Sequence, residues 1–548
     1  MNKSIKKWLT RHALTMLAMA TTLTASAQDS ELIAEFKTNS YAQNGENNVV
    51  SVLIGAVEEG QYADIDYGYG KEEVELEIAA IDSTGSWTGS FVSCNVSPEG
   101  WIKIYGDASK INVLQVSGGY LTEADVTKMR NLAVLDLSHN ELKSLDLTGL
   151  TNLSALYLND NPFKETPLKI GDDKPNLVIL DIGQVGNLDP SFKLADYPML
   201  VSFDAWHCLS LTSLDPSQNS YLKRISIDSC PVSSLDVTQN SNLQILNISE
   251  TAINSIDLSG NPNLTQLYCD RQSTSLAGTT KLTSLDLSNN PYLTYLFANG
   301  NDLTSIDLSN NVYLTDIFLS YNKLTGIDVS KNTYLNRLMV RYNQMDFNSL
   351  PLPNEAWGEY DYTQSNMPVA KSHKVGNTLD LSARVLREGY TTECALFMTS
   401  DEDPNSLVQL DGEYYTYADG KVTFLKETSD SVYVAFSCDA FPESALDKTP
   451  LRTEKFMVKS EENYGKPDLA FTLTPAQATE IRLNVGIAGA SAEEPKTFYV
   501  DYGDGVNVEY TATTQATPTT CNVQKDNVAG TLKVYVPENE KVSALAIY

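Results

Sequence analysis

The sequence is poor in the residues that carry most catalytic and metal chemistry. Histidine occurs four times in 548 residues, and the three beyond the leader, His139, His207 and His373, are isolated from one another. No H-E-x-x-H, G-x-S-x-G or Walker-type loop occurs, so nothing indicates a zinc peptidase, an α/β-hydrolase or a P-loop enzyme. The seven cysteines, at 94, 208, 230, 269, 394, 438 and 521, include no C-x-x-C pair. An odd count in an exported chain leaves at least one thiol free or intermolecular. Long apolar runs are missing as well: none approaches the ~18 residues a membrane span needs.

Positive charge is scarce, with 39 basic residues against 70 acidic. Four of the basic residues, Lys3, Lys6, Lys7 and Arg11, precede the apolar run ALTMLAMA and then Ala25-Ser26-Ala27. That is the pattern of a secretory signal peptide cut after Ala27, and the exported chain then carries a formal charge of −35. Binding to nucleic acid is disfavoured, since that affinity rests on basic contacts to phosphate. A 42% hydrophobic content is ample for packed cores.

What the sequence has in abundance is repetition. Units open at Ile111, Leu132, Leu153, Leu177, Leu200, Leu222, Leu243, Leu264, Leu293, Leu314 and Leu335, most of them 21 to 24 residues apart and one 29. A period this regular predicts a solenoid. The unit with Leu293, Leu296, Ala298, Asn301 and Leu303 fits L-x-x-L-x-L-x-x-N-x-L, the leucine-rich repeat signature. Residues 111–350 thus resemble the leucine-rich repeat family, and their short coils look like the bacterial, internalin-type repeats. The resemblance implies non-catalytic adhesion or recognition at a bacterial cell surface.

The ninth position of each coil reads Gly119, Asn140, Asn161, Val185, Cys208, Cys230, Thr251, Gln272, Asn301, Asn322 and Asn343. A buried amide there satisfies backbone groups of adjacent coils and stacks into a ladder. Cys208 and Cys230 fall in consecutive coils, near enough for a disulfide, although a ladder of buried free thiols is the preferred reading. A column of aspartates, Asp146, Asp215, Asp236, Asp257, Asp286, Asp307 and Asp328, reads as solvated and assisted by neighbouring Ser and Asn rather than as a metal site. Asp401, Asp403 and Asn405 begin like a calcium loop, but its Gly and Glu are not in place. No metal or cofactor is expected.

The flanks repeat one another. IDYGYGKEEVEL at 65–76 resembles VDYGDGVNVEY at 500–510, SCNV at 93–96 resembles TCNV at 520–523, and KINVLQV at 110–116 resembles KVSALAI at 541–547. The expected organisation is mainly β: a signal peptide (1–27), a β-rich N-terminal cap (28–110), about eleven repeats (111–350), a β-sandwich (351–465) and a second cap-like module (466–548). The sandwich resembles the immunoglobulin-like domain that follows internalin-type repeats, and if ECALFM and YVAFSC are antiparallel neighbours, Cys394 and Cys438 could pair.

Alternation sends the residues two, four and six after each opening leucine onto the concave sheet, where solenoids bind. The middle column ends in Tyr268, Phe297, Phe318 and Met339, flanked by Tyr295, Arg337 and Arg341, with Trp206 further up. Such a column facing solvent has no folding purpose and marks recognition, unless a neighbouring domain or crossing loop covers it. The expected ligand is a protein at the cell surface. The alternatives are a glycan, with Trp206, Asp204 and Asp228 stacking and hydrogen-bonding, or a structural envelope role.

Overall fold

The computed structural model describes residues 31–44, 48–81, 86–271, 281–399, 407–446 and 448–460, and beyond these the strands of the C-terminal region. The signal peptide, Gln272, the 401–405 segment and Cys521's side chain lie outside the described residues. Two compact units divide the chain: residues 1–323 with 328–338, and residues 324–327 with 339–548.

The first unit is mainly β and contains most of a solenoid of about eleven turns. It begins with a five-stranded sheet ordered Leu121–Asp125, Glu31–Thr38, Trp101–Gly106, Gln61–Asp66, Lys71–Leu76. Beside it, Val49–Ala56 pairs antiparallel with both Ser90–Asn95 and Ile111–Gln115. The strand Ile111–Gln115 then does two jobs: it closes this module and pairs in parallel with Val134–Asp136, the next coil's strand. A parallel ladder of three-residue strands continues through Ala155–Tyr157, Ile179–Asp181, Ser202–Asp204, Arg224–Ser226, Ile245–Asn247, Gln266–Tyr268, Tyr295–Phe297 and Asp316–Phe318 without a register shift. The middle residue of each, such as Leu156, Phe203 or Leu296, is fully buried, as alternation requires.

Most coils leave their strand through one left-handed residue, seven after the opening leucine: His139, Asp160, Gln184, His207, Ser229, Glu250 and Tyr321 have φ between 53° and 58°, and Gly300 has 72°. That turn aims the following side chain inward. Asn161 donates Nδ2–H to the Leu137 and Leu158 carbonyls (2.8 and 3.0 Å) and accepts from Leu142 N–H (3.0 Å). Asn140, Asn301 and Asn322 repeat the pattern. Cys208 and Cys230 are free buried thiols aimed at the carbonyls of Val185 and Ala205. In the 29-residue coil the expected occupant was Gln272. Beside it Arg271 is buried, with its guanidinium donating to the carbonyls of Ile248 and Ile253. A long side chain reaches the orphan carbonyl that a short amide meets in the regular coils.

A second amide ladder, not anticipated from the sequence, runs through Asn219, Asn240, Asn261, Asn290, Asn311 and Asn332, all buried. Asn311 Nδ2 donates to the carbonyls of Leu287 (3.0 Å) and Asn290 (2.9 Å) in the preceding coil. Just before it, Asp215, Asp236, Asp257, Asp286, Asp307 and Asp328 each accept the backbone N–H two residues on. The aspartate column is thus a series of local turns.

In the second unit, Thr392–Thr399 pairs antiparallel with Val432–Cys438. The Cys394–Cys438 expectation fails on register: Cys394 faces Phe436 while Cys438 faces Thr392, and both thiols are free. The last residues form sheets ordered Leu469–Leu473, Gly530–Tyr535, Lys496–Asp501, Asn507–Ala512 and Thr519–Val523, Ile481–Ile487, Val542–Ile547. Apart from Leu121–Asp125, which has no counterpart here among the described residues, the strand order matches that of the first module. The first of these sheets extends to Ser372–Lys374, where Lys374 meets the buried Asp501 at 3.6 Å.

Candidate functional site

Parallel strands without register shifts place equivalent side chains of consecutive coils about 4.8 Å apart. For flat rings this is stacking distance. Tyr268 and Phe297 stack with centroids 4.8 Å apart, Phe297 and Phe318 with centroids 4.4 Å apart and planes within 8°. All three are half-buried. The expectation that these rings have no folding purpose is therefore corrected: they cover one another and present their outer edges.

Around this stack the first unit supplies polar groups. Arg337 pairs with the buried Asp316 and lays its guanidinium over the Phe318 ring at 5.2 Å. Asp316 also accepts from the Thr315 hydroxyl at 2.6 Å. Tyr295 stands beside Asp316 in register, and the Tyr268 hydroxyl donates to Gln266 at 3.2 Å. Together they make an aromatic strip edged by one anchored cation.

The other predicted residues are placed as follows. Trp206 lies in the turn after the strand Ser202–Asp204, three coils before Tyr268's, and its indole lies on Gly183, where an added Cβ would sit 2.1 Å from Nε1. Asp204 is engaged by Arg224, with Nη2 at 2.7 Å and Nε at 2.8 Å from Oδ1. Of the carboxylates in the predicted sugar platform, Asp204 is thus paired with a cation, and Asp228 accepts from the Ser229 hydroxyl at 3.4 Å. Met339 is half-buried and Arg341 pairs with Asp361 at 3.6 Å, both in the second unit.

Toward the first coils the same column carries Asp136, Tyr157, Asp181 and Asp204. Burial, reinforced by the Asp204 charge, pushes the Asp181 carboxyl up to about 7, and burial raises Asp136 as well. Here a crossing segment does cover the sheet: Ala79 and Trp87 of the first module pack on Val113, Val134, Ala155 and Tyr157, and the indole hydrogen-bonds the Tyr157 hydroxyl. Trp87 was missed because nothing local in the sequence says that its hairpin returns over the repeats. His139 lies in the exposed turn, 2.7 Å from Asp160. Among the described residues there is no cluster of three or more His, Cys, Asp or Glu that could hold a metal, and no helix long and apolar enough to cross a membrane.

No protein-family model matches the sequence, and the search of curated proteins finds no match. Among solved structures the chain is similar to the functional domain of InlJ from Listeria monocytogenes, which includes a cysteine ladder, at 19% identity over 66% of this chain and 93% of that one, TM-score 0.31. It is also similar to a leucine-rich repeat protein of Leptospira interrogans, at 22% identity over 41% of this chain and 69% of that one, TM-score 0.29. YopM from Yersinia enterocolitica is similar at 20% identity over 43% of this chain and 56% of that one, TM-score 0.30.

Proposed function

We propose that the chain is a non-catalytic, extracellular recognition protein that binds a protein ligand along its concave sheet. One observation carries this reading: the continuous strip Tyr268–Phe297–Phe318 with Arg337 laid over its end. Aromatic rings and arginine are the side chains that dominate protein interfaces, and here they sit on a rigid sheet at little entropic cost. Tyr295 and Asp316 flank the strip and set the polarity a partner must match. The signal-peptide pattern supports a secreted or cell-surface location.

The competing use of the strip is purely structural, because stacked rings stabilise adjacent coils whether or not anything binds. The experiment that separates the two is a surface-protein binding screen with the exported chain and with the Phe297→Ala, Phe318→Ala double variant, whose fold is followed by circular dichroism. A partner bound by the parent and lost by a folded double variant supports recognition. Destabilisation with no partner for either protein overturns it.

A further inference from the structure

A second column of rings lies one residue before the last three opening leucines. In four earlier coils that position is a structural amide, Asn131, Asn152, Asn242 and Asn263 donating to backbone carbonyls of the preceding coil, while two others carry Met199 and the exposed Tyr221. From Leu293 onward it becomes Tyr292, Tyr313 and Tyr334, which are 54%, 45% and 62% exposed. Their rings are arrayed face to face with centroids 6.2 and 5.9 Å apart. A hydrogen-bonding ladder has been exchanged for exposed aromatic surface.

Two residues on, across the buried leucines, runs a column of threonines. Thr265 and Thr294 donate their hydroxyl protons to the carbonyls of Gln244 and Thr265, each at 2.9 Å, while the Thr315 hydroxyl gives its proton to Asp316 and lies 3.1 Å from the Thr294 carbonyl. Each hydroxyl thereby keeps its lone pairs as acceptors. Between the columns lies a groove of about 530 Å³, within the range of ligand sites, lined by Tyr292, Tyr313, Tyr334, the three threonines, Gln244 and Asn263. At its Asn263 end the tyrosine column stops beside a much smaller side chain.

Among the described residues no charged side chain lines this groove, on a chain with 70 acidic and 39 basic residues. An anionic ligand would be repelled by the whole molecule and meets no cation here. A cationic one finds no carboxylate. An extended peptide repeats every ~3.3 Å, out of step with coils ~4.8 Å apart, and needs a sheet edge for its backbone, whereas these coils pair with neighbours on both sides. Rings, hydroxyls and an amide on a straight, uncharged track suit a linear molecule with apolar ring faces and many hydroxyls.

We propose that the Tyr292–Tyr313–Tyr334 groove binds a linear, uncharged glycan lying along the solenoid axis, at a site distinct from the concave strip. Affinity electrophoresis of the full chain tests it, in gels containing hydroxyethyl cellulose, laminarin, glycogen, galactomannan, xylan or, as the charged arm, heparin. At least one neutral glycan should retard the parent. Tyr313→Ala should weaken that binding about tenfold, whereas Tyr313→Phe and the concave variant Phe297→Ala keep it. Thr294→Val, which keeps the volume and removes the acceptor, gives a second reading if Tyr313→Ala melts early. No retardation by any neutral glycan, equal retardation of Tyr313→Ala and Thr294→Val, or retardation by heparin alone that salt abolishes would each overturn the proposal. Because Phe297→Ala is the control, failure here leaves the protein-binding reading standing, and the reverse holds too.

Discussion

The two ends of the concave sheet use one backbone for opposite purposes. In both, the residue four after the opening leucine projects from a three-residue parallel strand, in register with its neighbours. Where that residue is Asp136, Asp181 or Asp204, spacing by one strand makes carboxylates repel, and the sheet answers with Arg224, local N–H donors and a covering indole. Where it is Tyr268, Phe297 or Phe318, the same spacing makes rings attract. A solenoid turns any periodic choice of residue into a continuous surface property, and the sign of the neighbour interaction decides whether that surface must be covered or can stand open.

The largest expected effect tests whether the halves share one interior. Leu156 and Leu296 are both fully buried middle residues, one beneath each half. Leu156→Ala and Leu296→Ala should each cost about 2–5 kcal/mol in urea unfolding, with values close to one another. A large difference would mean that the covering module, not the repeat core, sets stability at its end.

An intermediate effect separates the surfaces. Asp181 is held up to about 7, chiefly by burial, so the folded chain binds this proton more tightly than the unfolded chain. Its contribution is complete below the unfolded value near 4 and is lost as pH rises through about 7. Asp181→Asn keeps an oxygen for the Gly183 N–H and removes the titration. The variant should match the parent near pH 4 and exceed it at pH 8 by on the order of 2 kcal/mol. Thermal melts across that range check the sign, and a variant less stable at pH 8 would show that Asp181 is ionised and useful there.

Much of this organisation was legible because leucines, ladder amides and the duplicated flanking motifs mark it locally. The period marked the strands of the solenoid, and the paired motifs at 65–76 and 500–510 fall in strand pairs of like order, Gln61–Asp66 with Lys71–Leu76 and Lys496–Asp501 with Asn507–Ala512. The misses have a common cause, which is that the decisive partner lies in another coil or module. Asn219 and its successors look like polar surface until the preceding coil's carbonyls are seen above them. Arg271 meets the Ile248 carbonyl of the preceding coil, a partner that sequence periodicity does not reveal. Gly183 is required by Trp206, one coil later. The tyrosines before Leu293, Leu314 and Leu335 were visible in the sequence as a column. What it did not show was the half-buried threonine wall opposite them.

The smallest effect extends the comparison to aspartates away from the concave sheet. Asp215 stands in a local turn, where the Ser217 backbone N–H, at 3.0 Å, and then its hydroxyl hold the carboxyl below its usual value. Its sign is opposite to that of Asp181. A depressed value means the stabilisation is present above the unfolded value near 4 and fades as pH falls through the folded one. Because the group is open to solvent, Asp215→Ala should cost no more than about 0.5–1 kcal/mol at pH 7, and less still at pH 3. A pH-dependent melt on this variant and on Asp181→Asn should therefore give difference curves of opposite slope. If both slope the same way, the contrast between a carboxylate buried on a face and one capping a turn is wrong, and charge repulsion along the solenoid as a whole governs both.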